Sequence, residues 1–163
     1  AVTADSDPER EITRRIRLGL SAFGKYSQII TSSLAASLKR KVYNSCILPL
    51  LTYGAETWRL TKRVLSKLRT TQKAMERKMV GVTLRDRKRT VWVREITRVN
   101  DILVEIKKKK WAWAGHVVRR EDSQWLLRVT YCIPREGKHS RRQKVRWVDE
   151  VKKFAGVKWM QLT

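Results

Sequence analysis

"TKRVLSKLRTTQKAMERKMVG", residues 61–81, carries the strongest secondary-structure signal in the chain. Thr61 is a favoured N-cap residue, and Gly81 is of the type most often found just beyond a helix end. The residues between them that repeat at intervals of three and four are Leu65, Leu68, Gln72, Met75 and Met79. This spacing predicts an amphipathic helix between Thr61 and Gly81 whose two methionines pack in the core.

Two helices are predicted before this segment. Asp7 followed by Pro8 is a helix-start signal. The apolar residues that follow it at helical spacing are Ile12, Ile16, Leu20 and Phe23. Ser33 can cap the next helix, and Pro49 should kink or end it. The apolar residues predicted for this second helix are Leu34, Leu38, Val42 and Cys46.

After residue 81 the pattern predicts a short helix that starts near Thr90 and a longer helix capped by Asn100, with Asp101 in its first turn. The apolar face of the longer helix is predicted to contain Leu103, Ile106, Trp113, Ala114 and Val117. Lys107 and Lys110 project into this face, so their ammonium groups are expected to reach out to solvent.

The C-terminal part of the chain has a weaker pattern. Residues 125–133, "WLLRVTYCI", fit a strand or a helix equally well. Residues 134–146 are predicted to form a basic loop. Residues 147–156 are predicted to form a short helix that ends at Gly156.

Together these elements predict a mainly α fold. Residues 1–82 are expected to form a helical bundle of about three helices, with residues 1–8 flexible. A basic, mostly helical region should follow in residues 83–163, and its last element looks truncated by the end of the chain.

Positive charge is the dominant compositional feature. The chain contains 38 Lys and Arg against 15 Asp and Glu, a formal net charge of +23 at pH 7. With 42% hydrophobic residues it can still bury a core. Because so much like charge repels itself in a compact fold, a polyanionic partner is expected, and nucleic acid is the first candidate.

Export, membrane insertion and metal binding are not expected. The sequence has no secretory signal and no run of about eighteen apolar residues, so the expected location is the nucleus and cytoplasm. Cys46 and Cys132 are expected to be reduced thiols. Their spacing relative to each other and to His116 and His139 does not match a pair of zinc ligands.

Three groups of basic residues are candidates for phosphate contacts. The first group comprises Lys39, Arg40, Lys41, Arg85, Arg87, Lys88 and Arg89. The second group comprises Lys108, Lys109, His116 and Arg119. The third group comprises Arg135, Lys138, Arg141, Arg142 and Lys144.

No arrangement of residues points to catalysis. A polymerase or nuclease needs clustered carboxylates to hold magnesium ions. The acids here are scattered, mostly at helix starts or beside basic residues, as in Glu121-Asp122 and Asp149-Glu150. Phosphate loops and Ser-His-Asp arrangements are also absent from the sequence. The chain is therefore expected to be non-catalytic and to need no cofactor.

Five segments, in order, resemble successive parts of one protein family. They are "EITRRIRLGLSAFGKY" (11–26), "LKRKVYNSCILPLLTYGAETWRLTK" (38–62), "LRTTQKAMERKMVGVTLRDR" (68–87), "WAWAGHVVRR" (111–120) and "RWVDEVKKFAGVKW" (146–159). The family is the open-reading-frame-two endonuclease–reverse transcriptase of non-LTR retrotransposons, of the BovB/RTE-like kind. "LTYGAETW" together with W-x-GH-x-x-R makes the resemblance specific, and it covers most of residues 9–159.

The resemblance implies a place downstream of the polymerase palm. Residues 9 to about 82 would be the thumb that grips the template–primer duplex, and the remainder would engage template RNA or target DNA during target-primed reverse transcription. The palm and fingers of the parent polymerase are then implied partners. The sequence lacks both the family's Tyr-x-Asp-Asp motif and its endonuclease domain, so the fragment should neither polymerise nor cut. Relatives often carry Gly-Arg-Pro-Pro where this chain has "RRQKV", so a minor-groove role is not implied for this loop.

Other hypotheses remain open on the sequence. The amphipathic helix predicted over residues 101–119 also fits binding to membrane surfaces or acidic proteins. A host-domesticated DNA-binding module would have the same binding chemistry, and an enzyme with an unrecognised site is a third possibility. The residues do not distinguish among RNA, DNA and hybrid ligands.

Overall fold

The computed structural model describes residues 8–119 and 147–156. All regular secondary structure in these two ranges is helical, which confirms the predicted mainly α fold. The α-helices are α1 (Pro8–Lys25), α2 (Ser27–Ile30), α3 (Ala36–Val42), α4 (Leu48–Leu51), α5 (Lys62–Val80), α6 (Thr90–Thr97), α7 (Ile102–Arg119) and α8 (Trp147–Ala155). A π-helical turn, Tyr43–Ile47, joins α3 to α4, and a 3-10 turn covers Ala55–Thr57.

The chain divides into two compact units. The first unit comprises Ala1–Tyr53 and Thr61–Glu105, and the second comprises Gly54–Leu60 and Ile106–Thr163. The boundary therefore falls within α7, whose first four residues belong to the first unit. These units are defined by packing alone. The division after residue 82 into a thumb-like bundle and a basic nucleic-acid-binding region stays a prediction.

The N-terminal helix α1 starts where the sequence predicts, and a second short helix follows it. Helix α1 begins at Pro8 and ends at Lys25, while Asp7, the predicted cap, lies outside the described residues. The residues that follow α1, Ser27–Ile30, form the short helix α2. Ile30, the last residue of α2, is buried and anchors that turn in the core.

The core-facing side of α1 differs from the predicted one. Ile12 and Phe23 are buried as expected, but Leu20 is 47% exposed, so its predicted place in the core is wrong. Gly19 is buried instead, because Leu51 of α4 lies against its backbone. A Cβ atom at Gly19 would lie 2.6 Å from Leu51 Cγ. The close approach of α1 to α4 thus requires the glycine side of α1 and leaves Leu20 facing solvent.

The second predicted helix exists, but with a different cap and a different buried face. Ala35, rather than Ser33, occupies the N-cap position, and it makes no side-chain hydrogen bond there. Leu34 precedes the helix, so its predicted place in it is wrong, and both Leu34 and Leu38 are exposed. The buried apolar residues of this helical stretch are Tyr43, Ile47, Leu48 and Leu51.

The π-helical turn explains that shift. Pro49 has no backbone N–H, and its ring would crowd the carbonyl of Ser45 in an ordinary α-helix. The wider turn relieves this conflict: the N–H of Leu48 donates to the carbonyl of Tyr43, five residues back. The helix therefore passes through Pro49 to Leu51, and the extra residue in the turn rotates the buried face. Sequence periodicity carried no sign of this insertion.

Helix α5 agrees with its prediction at both ends. Thr61 Oγ1 accepts a hydrogen bond from Val64 N at 3.3 Å, and Gly81 takes the left-handed conformation with φ 76°. Of the residues predicted to repeat along α5, Leu68, Gln72, Met75 and Met79 are buried and Leu65 is half-buried.

Gln72 links α5 to the start of α7. Its Nε2 donates to the carbonyl of Asn100 at 3.0 Å, and its Oε1 accepts from Ile102 N at 2.8 Å. Asp101 caps α7, because its Oδ1 accepts from Leu103 N at 2.8 Å. The predicted cap, Asn100, is therefore wrong by one residue. Its own N–H donates instead to the side chain of Asn44, at 3.2 Å from Oδ1.

The second unit has its own small core. Ala114 of α7 and Val151 of α8 are fully buried, with Trp111, Val118 and Trp147 packed around them. The indole Nε1 of Trp147 donates to the carbonyl of Glu56 at 2.6 Å, which fastens the segment Gly54–Leu60 to this core. Helix α8 ends at Ala155, and the predicted terminating residue, Gly156, follows it with a left-handed φ of 81°.

Lys110 departs from its prediction, whereas Lys107 follows it. Lys107 is exposed, as expected for a lysine that reaches solvent. Lys110 is only 1% exposed, and its ammonium donates to the carbonyl of Trp58 instead of reaching water. A buried cation on an apolar helix face is tolerated where a carbonyl is available, and sequence spacing could not reveal that carbonyl.

Candidate nucleic-acid interface

A basic turn connects α5 to α6 in the first unit. Its four cationic residues, Arg85, Arg87, Lys88 and Arg89, are all exposed. Sequence reasoning had assigned these residues to phosphate contacts, and the structure places them together on one solvent-facing turn. We refer to residues 82–89 as the basic turn.

Asp86 holds the basic turn in shape. Its Oδ2 accepts hydrogen bonds from Thr83 N at 2.6 Å and from Thr83 Oγ1 at 2.9 Å. These two hydrogen bonds lower the pKa of Asp86, so it stays ionised and keeps its hold on the turn. Arg87, whose N–H donates to Leu84 O at 3.2 Å, adopts a left-handed φ of 49°. The single acid of this turn is thus engaged by threonine, and the four cations face solvent around it.

The N-terminus of α6 adds to the positive field of the basic turn. Arg89 occupies the N-cap position in an extended conformation and makes no side-chain capping bond. The first turn of α6 contains no acidic residue. The first backbone N–H groups of a helix carry partial positive charge and attract anions. Four cationic side chains therefore lead directly into an end of a helix that favours phosphate.

Lys39, Arg40 and Lys41 lie on α3 of the same unit. Lys39 is half-buried, and its Nζ donates to the carbonyl of Met79 at 3.1 Å, in the last turn of α5. It also lines a groove of about 220 Å³, whose other lining residues are Leu34, Ala36, Met79, Val80, Ile96 and Thr97. Arg40 is half-buried and Lys41 is exposed. Lys41 is therefore the residue of this trio best placed to meet a ligand, while Lys39 stabilises the end of α5.

The second predicted group lies on α7, in the second unit. Lys108, His116 and Arg119 are exposed, and Lys109 is half-buried. The ring centroids of Trp113 and His116 lie 5.5 Å apart with a tilt of 34°.

Gly115 allows the Arg119 side chain to lie close to the backbone of α7. A Cβ atom at Gly115 would lie 2.9 Å from Nη1 of Arg119. Gly115 itself is buried. The residues of the W-x-GH-x-x-R pattern thus make two local contacts, Trp113 with His116 and Gly115 with Arg119.

The third predicted group lies outside the described residues. Its members are Arg135, Lys138, Arg141, Arg142 and Lys144. Their role stays a prediction from the sequence.

Several acids of the first unit are paired with cations away from the basic turn. Glu9 lies within 3.7 Å of Lys67 Nζ, and Glu11 accepts from Arg15 Nε at 2.6 Å. The hydrogen bond from Arg15 lowers the pKa of Glu11, so the pair remains charged. These acids neutralise cations on α1 and α5 and leave the charge of the basic turn in place.

Sequence reasoning missed two features beside the basic turn. One is Trp92, an exposed aromatic residue of α6, with Lys88 Nζ 5.4 Å from its ring centroid. The other is the uncapped start of α6, which the sequence signals by having Arg89 where a capping residue such as serine or aspartate would be favoured.

Neither a membrane span nor a metal cluster is found in the described residues. Within residues 8–119 and 147–156, no helix has the length and apolar character needed to cross a bilayer. In the same ranges, no group of three or more His, Cys, Asp or Glu side chains is placed to hold a metal ion. The expectation of no metal stays a prediction for the chain.

Comparison with known proteins gives one informative match. No protein-family model matches the chain, and no solved structure matches it. The chain is 34% identical over 157 residues to an uncharacterised transposon-derived protein of Caenorhabditis elegans. The alignment covers 93% of this chain and 56% of the relative, so the chain spans little more than half of that protein's length. The similarity supports a transposon origin for this chain.

Proposed function

We propose that this chain is a non-catalytic, nucleic-acid-binding fragment of a non-LTR retrotransposon reverse transcriptase. In this proposal residues 9 to about 82 contact the template–primer duplex as the thumb, and the basic region after residue 82 contacts template RNA or target DNA. The palm and fingers of the parent polymerase are the proposed protein partners, and the nucleus and cytoplasm the proposed location. Binding of this kind needs no cofactor.

The observation that carries the proposal is the basic turn with the start of α6. Four exposed cations sit on a turn fixed by Asp86 and lead into an uncapped helix N-terminus. Phosphate groups are recognised by this combination of arginine, lysine and backbone N–H groups. A merely solvated basic surface would not require an uncapped helix start beside the cations.

Two further observations favour a retrotransposon origin for this chain over other kinds of basic protein. The chain resembles reverse transcriptases of this class over most of its length, and its relative is a transposon-derived protein. The alternative of a host-domesticated module shares this origin and the same binding chemistry.

Membrane binding is less favoured because the apolar face of α7 is occupied. Its residues within the second unit, Ile106, Ala114 and Val117, are buried. An amphipathic helix must expose its apolar face in order to insert into a bilayer surface. Binding to anionic lipid would therefore rest on charge alone.

Fluorescence anisotropy tests the proposal directly. The full chain is titrated with duplex DNA, RNA–DNA hybrid, structured RNA and single strands at several salt concentrations. If about six phosphates are neutralised, the slope of log affinity against log salt should lie near −5. Weak binding to every ligand, or tight binding with a slope near zero, would overturn the proposal.

A further inference from the structure

We propose that Trp92 is a stacking site for an unpaired nucleobase, and that the cations of the basic turn hold the phosphates on either side of that base. This inference rests on the proposed nucleic-acid function and names the kind of ligand that the basic turn receives: a single strand, or an unpaired end of a duplex. Three properties of Trp92 carry it.

The first property is that Trp92 is not used by the core of its own helix. Val93 and Thr97 are the buried residues of α6, whereas Trp92 is 39% exposed. Ile96, one turn further along the same side of α6, is also exposed. A large aromatic ring left at the surface offers a π-face to a ligand, and tryptophan provides the largest such face of any side chain.

The second property is the cation that stands over the ring. Lys88 Nζ lies 5.4 Å from the ring centroid, within the range of a cation–π contact. Lys88 is exposed and its stem is flexible, so the ammonium can leave the ring for a phosphate when a base takes its place. The contact keeps the ring covered until the ligand arrives, and it brings the phosphate-binding group next to the stacking surface.

The third property is the position of Trp92 in the first turn of α6. The helix starts at Thr90 without a side-chain cap, and Arg89 precedes it. A nucleotide whose base lies on Trp92 therefore has its phosphate near Arg89, Lys88 and the first N–H groups of the helix. Proteins that bind single strands combine aromatic platforms with cationic grooves in this way. Paired bases are already stacked on their neighbours, so a duplex interior would gain nothing from the ring.

Tyr53 shows what distinguishes Trp92. Tyr53 is also exposed and has a cation over its ring, since Arg15 Cζ lies 4.3 Å from the centroid. Arg15, however, is fixed by its 2.6 Å hydrogen bond to Glu11. A fixed guanidinium keeps that ring covered, so Tyr53 serves as a matched control.

The test compares an oligothymidylate with an abasic strand that has the same number of phosphates. The wild-type chain should bind the base-bearing strand more tightly. Trp92→Leu should remove that difference, lowering affinity for the oligothymidylate by about five- to 140-fold, while affinity for the abasic strand and its salt dependence stay unchanged. Trp92→Tyr should restore most of the loss, and Tyr53→Leu should cause none.

The outcomes separate the two proposals. If the wild-type chain binds neither strand nor any duplex, the proposed function falls and the stacking site with it. If the two strands bind equally, with a steep salt dependence, the stacking site is disproved while the nucleic-acid function stands. Equal losses in Trp92→Leu and Tyr53→Leu would also disprove it. Should Trp92→Leu fail to fold, equal binding of the two strands by the wild-type chain would still disprove the stacking site, and Trp92→Tyr would still have to keep most of the preference.

Discussion

The carboxylate of Glu76 and the guanidinium of Arg94 face each other in the first unit, with Oε2 and Nε 3.8 Å apart. Glu76 is fully buried, whereas the Arg94 side chain is partly exposed and also donates from Nη2 to Asp101 at 2.8 Å. Burial raises the pKa of Glu76, and the attraction of Arg94 opposes this rise without cancelling it. α5 therefore carries an acid that is protonated more readily in the folded chain than in the unfolded chain.

This buried acid gives stability a defined pH dependence. Because the folded-state pKa of Glu76 is raised above its ordinary value of 4.5, its favourable contribution is complete below that pH and is lost as pH rises through the raised pKa. We expect Glu76→Gln to match the wild-type free energy of unfolding at low pH and to exceed it by about 1–3 kcal/mol at neutral pH. Urea unfolding across this pH range measures the difference.

The exposed residue Glu95 provides the control for this prediction. Glu95→Gln removes the same charge from α6 without removing a buried carboxylate. The free energy of unfolding of Glu95→Gln should differ little from that of the wild type across this pH range. A Glu76→Gln difference that does not change with pH would show that the Glu76 carboxyl titrates alike in the folded and unfolded chains.

Two glycines of α1 should respond to alanine with opposite signs. Gly19→Ala forces a methyl group against Leu51, where the new Cβ would lie 2.6 Å from Cγ. We expect this change to lower the free energy of unfolding by about 1–3 kcal/mol. Gly24 has nothing within 4 Å of its Cβ position, so Gly24→Ala should add about 0.5–1 kcal/mol through helix propensity. Both changes are measured by urea unfolding, and Leu51→Ala should relieve part of the Gly19→Ala penalty. Equal effects at the two glycines would contradict the close approach.

Helix boundaries set by local chemistry could be predicted from the sequence. Thr61 and Gly81 end α5 through a side-chain oxygen and a left-handed φ, and neither depends on distant residues. The buried side of α5 could be predicted from periodicity, because a continuous stripe at helical spacing defines a single face of the helix. The basic residues at 85–89 lie on a turn, in a stretch of sequence that contains no helical stripe.

What could not be predicted depends on contacts between distant residues. Gly19 replaces Leu20 in the core because Leu51, far along the chain, approaches α1. Lys110 is buried because the carbonyl of Trp58 is there to accept its hydrogen bond. In the candidate interface, Lys39 is held by the carbonyl of Met79, which no spacing rule could reveal. The misplacements of Leu20 and Lys110 are errors of tertiary pairing and not of local propensity.

The two lysines predicted to be misfits on α7 should now behave differently. Lys110→Met leaves the buried carbonyl of Trp58 without this donor, and we expect a loss of about 1–3 kcal/mol. Lys107→Met changes an exposed side chain and should stay within about 0.5 kcal/mol of wild type. Thermal unfolding followed by near-ultraviolet circular dichroism reports on the tryptophans of the second unit. If Lys110→Met has the same free energy of unfolding as the wild type, the hydrogen bond from Lys110 to Trp58 contributes no net stability.

The basic turn should account for a measurable share of the salt dependence of binding. Replacing Arg85, Arg87, Lys88 and Arg89 with alanine removes up to four phosphate contacts, and each contact contributes about 0.9 to the log–log slope. We therefore expect the slope on duplex DNA with an unpaired end to become shallower by about 3–4, with a corresponding loss of affinity at low salt. Fluorescence anisotropy over a salt series measures both quantities.

The matched control removes the same amount of charge from α1. Arg10, Arg14, Arg17 and Lys25 are also exposed, so their replacement with alanine lowers the net charge by four without touching the basic turn. If the ligand is held at the turn and the start of α6, this control should change the slope much less. Equal slopes for the two variants would mean that the chain attracts nucleic acid through its net charge alone, because a diffuse field does not depend on where the four charges lie.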